Sequence, residues 1–289
     1  MMEQEKMNIQ WYPGHMTKTR RQIEADLKQV DAVCEIVDAR IPMSSRNPDI
    51  DAICGTKPRI IVLNRMDLAD PAATKRWAQY FKSKGMAVIA TDCKSRRGIA
   101  DFTPAARTAC AEKIRRDSAR GMNRPIRVMV VGIPNVGKST LINQISGRKG
   151  AKAENRPGVT RGKQWVTVDN SLLLLDTPGI LWPKFEDPEV GMMLAYTGAV
   201  KEDVIDIEEL ACRLMVLLHK YYPQALLERY KVEAELGTSG YELIQLAGKK
   251  RGYLLARGEI DTERMSKVLI DEFRSGKLGK FTLEMPEEV

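Results

Sequence analysis

The chain has 289 residues, of which 43% are hydrophobic and 29% are charged, enough apolar material for one sizeable core and a smaller second one. No run of about 18 apolar residues predicts a membrane span, and the first residues lack the basic and apolar regions of a signal peptide. The 5 cysteines include no CxxC pair, which argues against a disulfide framework or a zinc site, so we expect a cytoplasmic protein with reduced thiols.

The net charge of +8 is unevenly divided along the chain. Residues 1–185 hold 32 Lys and Arg against 18 Asp and Glu, a net +14, whereas residues 186–289 hold 14 against 20, a net −6. A basic surface attracts the phosphate backbone of nucleic acid through salt-sensitive contacts. Any single basic cluster is consistent with ordinary solvated charge, but the asymmetry as a whole favours a nucleic-acid partner.

Apolar runs of strand length alternate with helical stretches through the first part of the chain. The predicted strands are residues 32–37, 59–63, 86–91, 126–131, 163–168 and 172–175. The predicted helices are residues 18–29, 71–84, 99–116 and 138–146. This alternation predicts an α/β fold with an open, mostly parallel sheet flanked by helices.

The pattern changes after residue 179. Apolar residues then recur at helical spacing, as at Leu210 and Leu214, with breaks at prolines and glycines. We therefore predict two domains, residues 1–182 and a small all-helical C-terminal domain of residues 183–289.

Residues 132–139 read Gly-Ile-Pro-Asn-Val-Gly-Lys-Ser and lie between a predicted strand and a predicted helix. This is a phosphate-loop pattern: glycines let backbone N–H groups curl around phosphates, Lys138 reaches the β- and γ-phosphates, and Ser139 offers a hydroxyl to Mg²⁺. The expected nucleotide contacts here are Asn135, Val136, Gly137, Lys138, Ser139 and Thr140. The loop alone leaves ATPases, metabolite kinases and GTPases open.

Asn64 and Asp67 identify the base. The Asp67 carboxylate matches the N1–H and N2–H₂ donors of guanine and the Asn64 amide matches the O6/N7 edge, whereas adenine would set an acceptor against Asp67. The lysine usual between them is replaced by Arg65, whose stem can still cover the purine ring. Asp92 and Cys93, after the third predicted strand, are weaker candidates for a backbone cradle of the guanine. The predicted ligand is GTP or GDP.

Two further segments are expected around the γ-phosphate. Asp176 follows the last predicted strand, where its carboxylate can reach Mg²⁺ through water, and the N–H of Gly179 can meet the γ-phosphate. Thr160, in a loop rich in glycine and arginine, is the expected second hydroxyl for Mg²⁺. Both segments are expected to order on GTP and to relax after hydrolysis.

The guanine-reading motif precedes the phosphate loop, the reverse of the usual order. With this circularly permuted order the chain resembles the family of ribosome biogenesis GTPase A. The resemblance is carried by residues 11–16 (WYPGHM), 38–42 (DARIP), 45–48 (SRNP), 64–67 (NRMD), 132–139 (GIPNVGKS), 157–161 (PGVTR) and 176–179 (DTPG).

The resemblance implies a circularly permuted P-loop GTPase fold and GTP hydrolysis during late assembly of the large (50S) ribosomal subunit. It also implies contacts with 23S rRNA and nearby ribosomal proteins, and it makes the C-terminal domain a candidate for an rRNA contact despite the net charge of −6 on residues 186–289. We expect that the protein binds neither DNA nor membranes. We also expect it to be a monomer when it is not bound to the ribosome.

Hydrolysis needs a group that positions the attacking water. The residue after the 176–179 motif is Ile180, which cannot hydrogen-bond that water as the glutamine of signalling GTPases does. The resemblance points to His15 instead, with packing or an rRNA contact as the alternative role. Asn135 is a further candidate, since an asparagine at this position in potassium-dependent relatives helps to hold K⁺; the alternative is that it satisfies its own turn.

The residues alone do not exclude two other functions. One is a GTP-dependent RNA- or protein-binding switch whose own hydrolysis is incidental, which Ile180 favours. The other is a P-loop kinase acting on a metabolite, which would leave Asn64 and Asp67 without a role.

Overall fold

A computed structural model of the protein describes residues 23–147, 164–177, 179, 187–200 and 206–288. These residues fall into two compact units. The first, the sheet unit, contains the described residues up to 179 together with residues 284–288. The second, the helical unit, contains the described residues from 187 to 283. The domains predicted from the sequence have their boundary at 182/183, and no sequence pattern predicts the assignment of residues 284–288.

The sheet unit is built on six strands in the order β3-β2-β1-β4-β6-β5. The strands are β1 Ala32–Asp38, β2 Arg59–Asn64, β3 Ala87–Thr91, β4 Ile126–Gly132, β5 Gln164–Asp169 and β6 Leu172–Asp176. All pairings are parallel except that of β5 with β6, which is antiparallel. These pairings confirm the predicted mostly parallel sheet. Its central strands β1 and β2 are buried along their whole length, as expected for a sheet covered on both faces.

Helices flank this sheet. They are α1 Ile50–Cys54, α2 Pro71–Ser83, α3 Phe102–Ala109, α4 Ala111–Ala119 and α5 Lys138–Ser146, and residues 23–27 are also helical. The start of α2 combines a proline in the first turn with the Asp70 carboxylate, which accepts hydrogen bonds from the N–H groups of Ala72 and Ala73.

The prediction of one continuous helix over residues 99–116 is wrong. Residues Ile99–Asp101 form a 3-10 turn, and the helix that follows breaks at Cys110 between α3 and α4. The reason lies in packing: α3 buries Phe102 and Ala106, whereas α4 has no buried residue.

The helical unit contains five helices among its described residues: α6 Pro188–Thr197, α7 Ile207–Tyr221, α8 Pro223–Tyr230, α9 Gly240–Arg251 and α10 Thr262–Ser275. The leucine spacing predicted for α7 is confirmed, since Leu210, Leu214 and Leu218 are fully buried. The start of α9 carries a capping box in which Ser239 and Glu242 exchange hydrogen bonds with each other's backbone. No helix in the described ranges has the length and apolar composition needed to cross a membrane.

The last described residues pack on the sheet unit. The Glu284 carboxylate accepts hydrogen bonds from the backbone N–H groups of Met43 (2.7 Å) and Ser44 (3.0 Å). The indole Nε1 of Trp77 donates to the Glu284 carbonyl oxygen at 2.8 Å. Residues 284–288 therefore anchor the loop after β1 to helix α2.

Candidate functional site

Five strand ends meet at one edge of the sheet. The strands β1, β2, β3, β4 and β6 are parallel, so their carboxyl ends lie at the same edge of the sheet; their last residues are Asp38, Asn64, Thr91, Gly132 and Asp176. Ligands bind at the carboxyl ends of strands in open α/β sheets. Motifs that are far apart in the chain are thus brought together here, whatever their order along it.

Asn64 joins the second strand to the phosphate loop. Its Nδ2 donates to the carbonyl oxygen of Val136 at 2.7 Å, and its Oδ1 accepts from the Thr91 hydroxyl at 3.1 Å. The residue is buried, so these two bonds fix the orientation of its amide. The contact with the guanine O6/N7 edge stays a prediction, and no sequence pattern predicts the hydrogen bond from the Thr91 hydroxyl to Asn64.

The phosphate loop needs glycine where it passes Asn64. Gly137 has a φ of +101°, and a Cβ at this position would lie 2.4 Å from the Asn64 Nδ2 atom. Both the left-handed backbone and the close approach exclude a side chain. Asn135 also has a positive φ of +60°, a conformation that asparagine tolerates better than most residues.

Lys138 and Asp176 form a buried ion pair. Lys138 is the first residue of α5, and its Nζ lies 2.6 Å from Oδ1 of Asp176 at the end of β6. Ser139 and Thr140 follow in the first turn of α5 and are partly exposed. The N-terminus of a helix favours anions, so this is a suitable place for phosphate groups.

The segment after β6 lies against the phosphate loop. The Thr177 hydroxyl donates to the Val130 carbonyl oxygen at 2.8 Å, and a Cβ on Gly179 would lie 3.1 Å from the Pro134 nitrogen. Gly179 is thus placed next to the loop, and the contact of its N–H with the γ-phosphate stays a prediction.

The oxygen donors at this edge fit Mg²⁺. In the part of the chain that the structure describes, no group of three or more His, Cys, Asp or Glu residues could hold a metal. Mg²⁺ in phosphate sites does not need such a group, because one or two protein oxygens together with phosphate oxygens and waters suffice. The Asp176 carboxylate and the Ser139 hydroxyl are oxygen donors of this kind.

Arg65 reaches two other parts of the site. Its φ is +60°, its Nη2 donates to the Asn135 carbonyl oxygen at 2.6 Å, and its Nε lies 3.7 Å from Oδ2 of Asp38. Asp67, two residues further on, is partly exposed.

The loop after β3 is stabilised by hydrogen bonds to the Asp92 side chain. The Asp92 carboxylate accepts from the N–H groups of Lys94 (2.9 Å) and Ser95 (3.3 Å), and also from the Ser95 hydroxyl. Burial acts to raise the pKa of Asp92, but these hydrogen bonds outweigh it and the pKa lies below its usual value. Burial raises the pKa of Cys93 to about 11, so this residue is a neutral thiol at pH 7. The guanine cradle at these residues stays a prediction.

Several predicted site residues lie outside the described part of the chain. These are His15 and Thr160, together with the motif stretches at residues 11–16 and 157–161. Their predicted roles stay predictions. Asp38 and Arg40 were identified only through a stretch of the resemblance, because no chemical pattern in the sequence assigns them a role.

The chain is similar to GTPases that are named for the ribosome. The family described as 50S ribosome-binding GTPase matches residues 127–248. Ribosome biogenesis GTPase A of Bacillus cereus is 47% identical over 283 residues, which is 98% of this chain and 95% of the relative. The protein of the same name from Thermotoga maritima is 32% identical over 97% of this chain and 96% of its own length. Mitochondrial ribosome-associated GTPase 1 of Xenopus tropicalis is 36% identical, covering 95% of this chain and 94% of the relative.

Two solved structures are also similar. The GDP-bound structure of TM YlqF covers 92% of this chain and 100% of the YlqF chain, with a TM-score of 0.66 and 28% sequence identity. GNP-bound YlqF from Thermotoga maritima matches 94% of this chain and 100% of its own, with a TM-score of 0.62 and 29% identity.

Proposed function

Because the chain belongs to the ribosome biogenesis GTPase A family, and is therefore a GTPase that acts in ribosome biogenesis, we propose that it works on the precursor of the large (50S) subunit. In this proposal the chain binds the particle with GTP, and the particle stimulates hydrolysis. The observation that carries the nucleotide site is the bond from Asn64 Nδ2 to the Val136 carbonyl oxygen, which couples the guanine-reading strand to the phosphate loop.

We assign base recognition to Asp67 and Asn64. The Asp67 carboxylate accepts from N1–H and N2–H₂ of guanine. The Asn64 amide has two N–H groups; one goes to Val136, and we assign the other to the O6/N7 edge. Arg65 covers the purine ring with its stem, and the backbone at Asp92 and Cys93 completes the cradle.

The phosphates lie, in this proposal, over the N-terminus of α5. Gly137, Thr140 and their neighbours in the loop offer backbone N–H groups, and Lys138 exchanges Asp176 for phosphate oxygens when the nucleotide binds. Ser139, Thr160 and Asp176, the last through water, are the residues that would hold Mg²⁺. A bound Mg²⁺ would neutralise the charge on the β- and γ-phosphate oxygens.

Hydrolysis transfers the γ-phosphoryl group of GTP to water. A bond forms between the water oxygen and the γ-phosphorus, the bond from that phosphorus to the β-phosphate oxygen breaks, and the water protons pass to phosphate and solvent. We assign the positioning of this water to His15, since the side chain of Ile180 has no hydrogen-bonding group. We assign to Asn135 a role in holding K⁺ beside the phosphates, where added positive charge favours the transition state.

The charge distribution supports a contact with 23S rRNA. Residues 1–185 carry a net +14 and residues 186–289 a net −6, so we assign most of the salt-sensitive affinity to the first part of the chain. A monomer that acts in the cytoplasm, in contact with rRNA and neighbouring ribosomal proteins, completes the proposal.

Co-sedimentation tests the partner. The full chain is mixed with purified large or small subunits, in the presence of GDP or of a non-hydrolysable GTP analogue, at several salt concentrations. We expect it to sediment with large subunits and the GTP analogue, to a degree that falls as salt rises. Equal sedimentation with small subunits, or no difference between the two nucleotides, contradicts the proposal.

A further inference from the structure

Arg65 lies between the end of β1 and the phosphate loop. Its Nη2 donates to the carbonyl oxygen of Asn135 at 2.6 Å, while its Nε faces the Asp38 carboxylate at 3.7 Å. A guanidinium is planar and can engage two partners through different N–H groups, whereas a lysine presents one compact charge. The arginine found where a lysine is usual can therefore connect two structures at once.

The Asp38 carboxylate is held rigidly at its own position. Oδ1 accepts from the backbone N–H of Arg40 at 3.0 Å and from its Nε at 2.9 Å, and Oδ2 accepts from Nη2 at 2.7 Å. Arg40 has no exposed surface, and the backbone N–H of Asp38 donates to the Ser45 hydroxyl at 2.9 Å. These hydrogen bonds thus fix the position of the Asp38 carboxylate at the carboxyl end of β1, where the nucleotide site is proposed.

This carboxylate is ionised at neutral pH. Burial alone would raise the pKa of Asp38, but the guanidinium groups of Arg40 and, at longer range, Arg65 hold the pKa below its usual value. One buried negative charge therefore faces two positive ones, and the second of these is on the residue that touches the phosphate loop.

We propose that Asp38 is a positioning residue for nucleotide binding. Its carboxylate holds the Arg65 guanidinium in the place from which it supports the Asn135 carbonyl, and so sets the conformation of the phosphate loop. This inference rests on the nucleotide site proposed above, and it gives a role to the stretch at residues 38–42 that the hydrolysis scheme leaves without one.

A second buried carboxylate on the same strand provides a matched control. Glu35, three residues earlier on β1, accepts hydrogen bonds from Arg46 and Arg59. It resembles Asp38 in burial and in having arginine partners, but its described hydrogen bonds go to those arginines and not to the phosphate loop. Glu35→Gln therefore reports the cost of replacing a buried carboxylate on β1 without disturbing Arg65.

A double-mutant cycle tests the proposal. The rate constant for GDP dissociation is measured for the full chain, for Asp38→Asn, for Arg65→Met and for the double variant, alongside thermal unfolding of each. We expect Asp38→Asn to raise the rate constant about tenfold when Arg65 is present, and less than about twofold when it is replaced. Glu35→Gln should lower the unfolding temperature and leave the rate constant within about twofold in both backgrounds.

Three results would overturn the inference. One is an unchanged rate constant in Asp38→Asn; another is an increase by the same factor with and without Arg65. The third is a coupling of Glu35→Gln to Arg65 of the same size. If Asp38→Asn does not fold, Asp38→Glu, which keeps the charge but displaces it by one methylene, is used in the same cycle with the same expectations. A native chain that bound no GDP would contradict the nucleotide site itself, so the two failures are distinguishable.

Discussion

The Nζ atom of Lys138 lies 2.6 Å from Oδ1 of Asp176, and both side chains are less than a tenth exposed. The phosphate-loop lysine and the carboxylate expected beside Mg²⁺ thus neutralise each other across the end of the sheet. Among the described residues neither charge has another ion-pair partner, and an uncompensated buried charge is costly. In the proposed site, Lys138 contacts phosphate oxygens and Asp176 contacts Mg²⁺ through water when GTP binds, in place of this pair.

Breaking this pair is predicted to destabilise the protein without nucleotide. Lys138→Met leaves the Asp176 carboxylate buried and uncompensated, and we expect the free energy of unfolding to fall by about 3 kcal/mol. Adding Asp176→Asn removes that charge and should restore part of the loss. Urea unfolding of both variants without nucleotide measures this, and a double variant no more stable than Lys138→Met would show that the charge of Asp176 is not the cause.

Asp67→Asn is predicted to change the base that the site accepts. The asparagine can still accept from N1–H, but its amide donor faces the N2–H₂ group of guanine, so GTP affinity should fall about 100-fold or more. Xanthine carries a carbonyl oxygen at that position and should bind better to the variant than to the native chain. Competition between GTP and XTP for both proteins measures the change. A parallel loss for both nucleotides would remove Asp67 from base recognition.

Much of this site could be predicted from the sequence, for physical reasons that differ between its parts. The strands of a parallel sheet are continuous apolar runs, so β1 and β2 are visible as composition alone. The phosphate loop is local, since its glycines, lysine and serine lie within eight consecutive residues. The break at Cys110 in the helix predicted over residues 99–116 was not predicted. Helix α3 has buried residues and helix α4 has none, a difference that the sequence pattern does not reveal.

The contacts between distant residues could not be predicted. Asn64 and Val136 are 72 positions apart, and their bond depends on the order of strands in the sheet. The bonds from Met43 and Ser44 to Glu284 span about 240 positions and involve a segment without any periodic pattern. Such contacts follow from tertiary packing and not from local propensity.

The anchoring of the C-terminal segment leads to a prediction about exchange. Glu284→Ala leaves two backbone N–H groups without their acceptor, so we expect the free energy of unfolding to fall by about 1–3 kcal/mol. Hydrogen exchange in the peptide that contains Met43 and Ser44 should become faster. Glu287→Gln is the control, because among the described residues Glu287 forms an exposed pair with Arg76 at 3.4 Å, and the loss of that pair should cost less than about 1 kcal/mol. Unchanged exchange at residues 43 and 44 in Glu284→Ala would show that the carboxylate does not hold this loop.

The two histidines are predicted to respond differently to replacement. His15→Ala should lower hydrolysis stimulated by large subunits about 100-fold, with GDP affinity unchanged, because only the positioning of water is lost. His219 lies in α7 with its Nε2 3.2 Å from the Ala234 carbonyl oxygen, so His219→Ala should affect stability and leave the rate of the folded protein unchanged. Single-turnover hydrolysis of both variants decides the matter, and a fully active His15→Ala would remove His15 from the mechanism.

This site is proposed to hydrolyse GTP in response to the large ribosomal subunit. The most direct test is the single-turnover rate of GTP hydrolysis by the full chain, with and without purified large subunits, in K⁺ and in Na⁺ buffers of equal ionic strength. We predict slow hydrolysis by the protein alone, a rate at least about tenfold higher with large subunits, and a higher rate in K⁺ than in Na⁺. The same rate with and without large subunits would show that the particle does not stimulate hydrolysis, and equal rates in the two salts would remove K⁺ and Asn135 from the proposed mechanism.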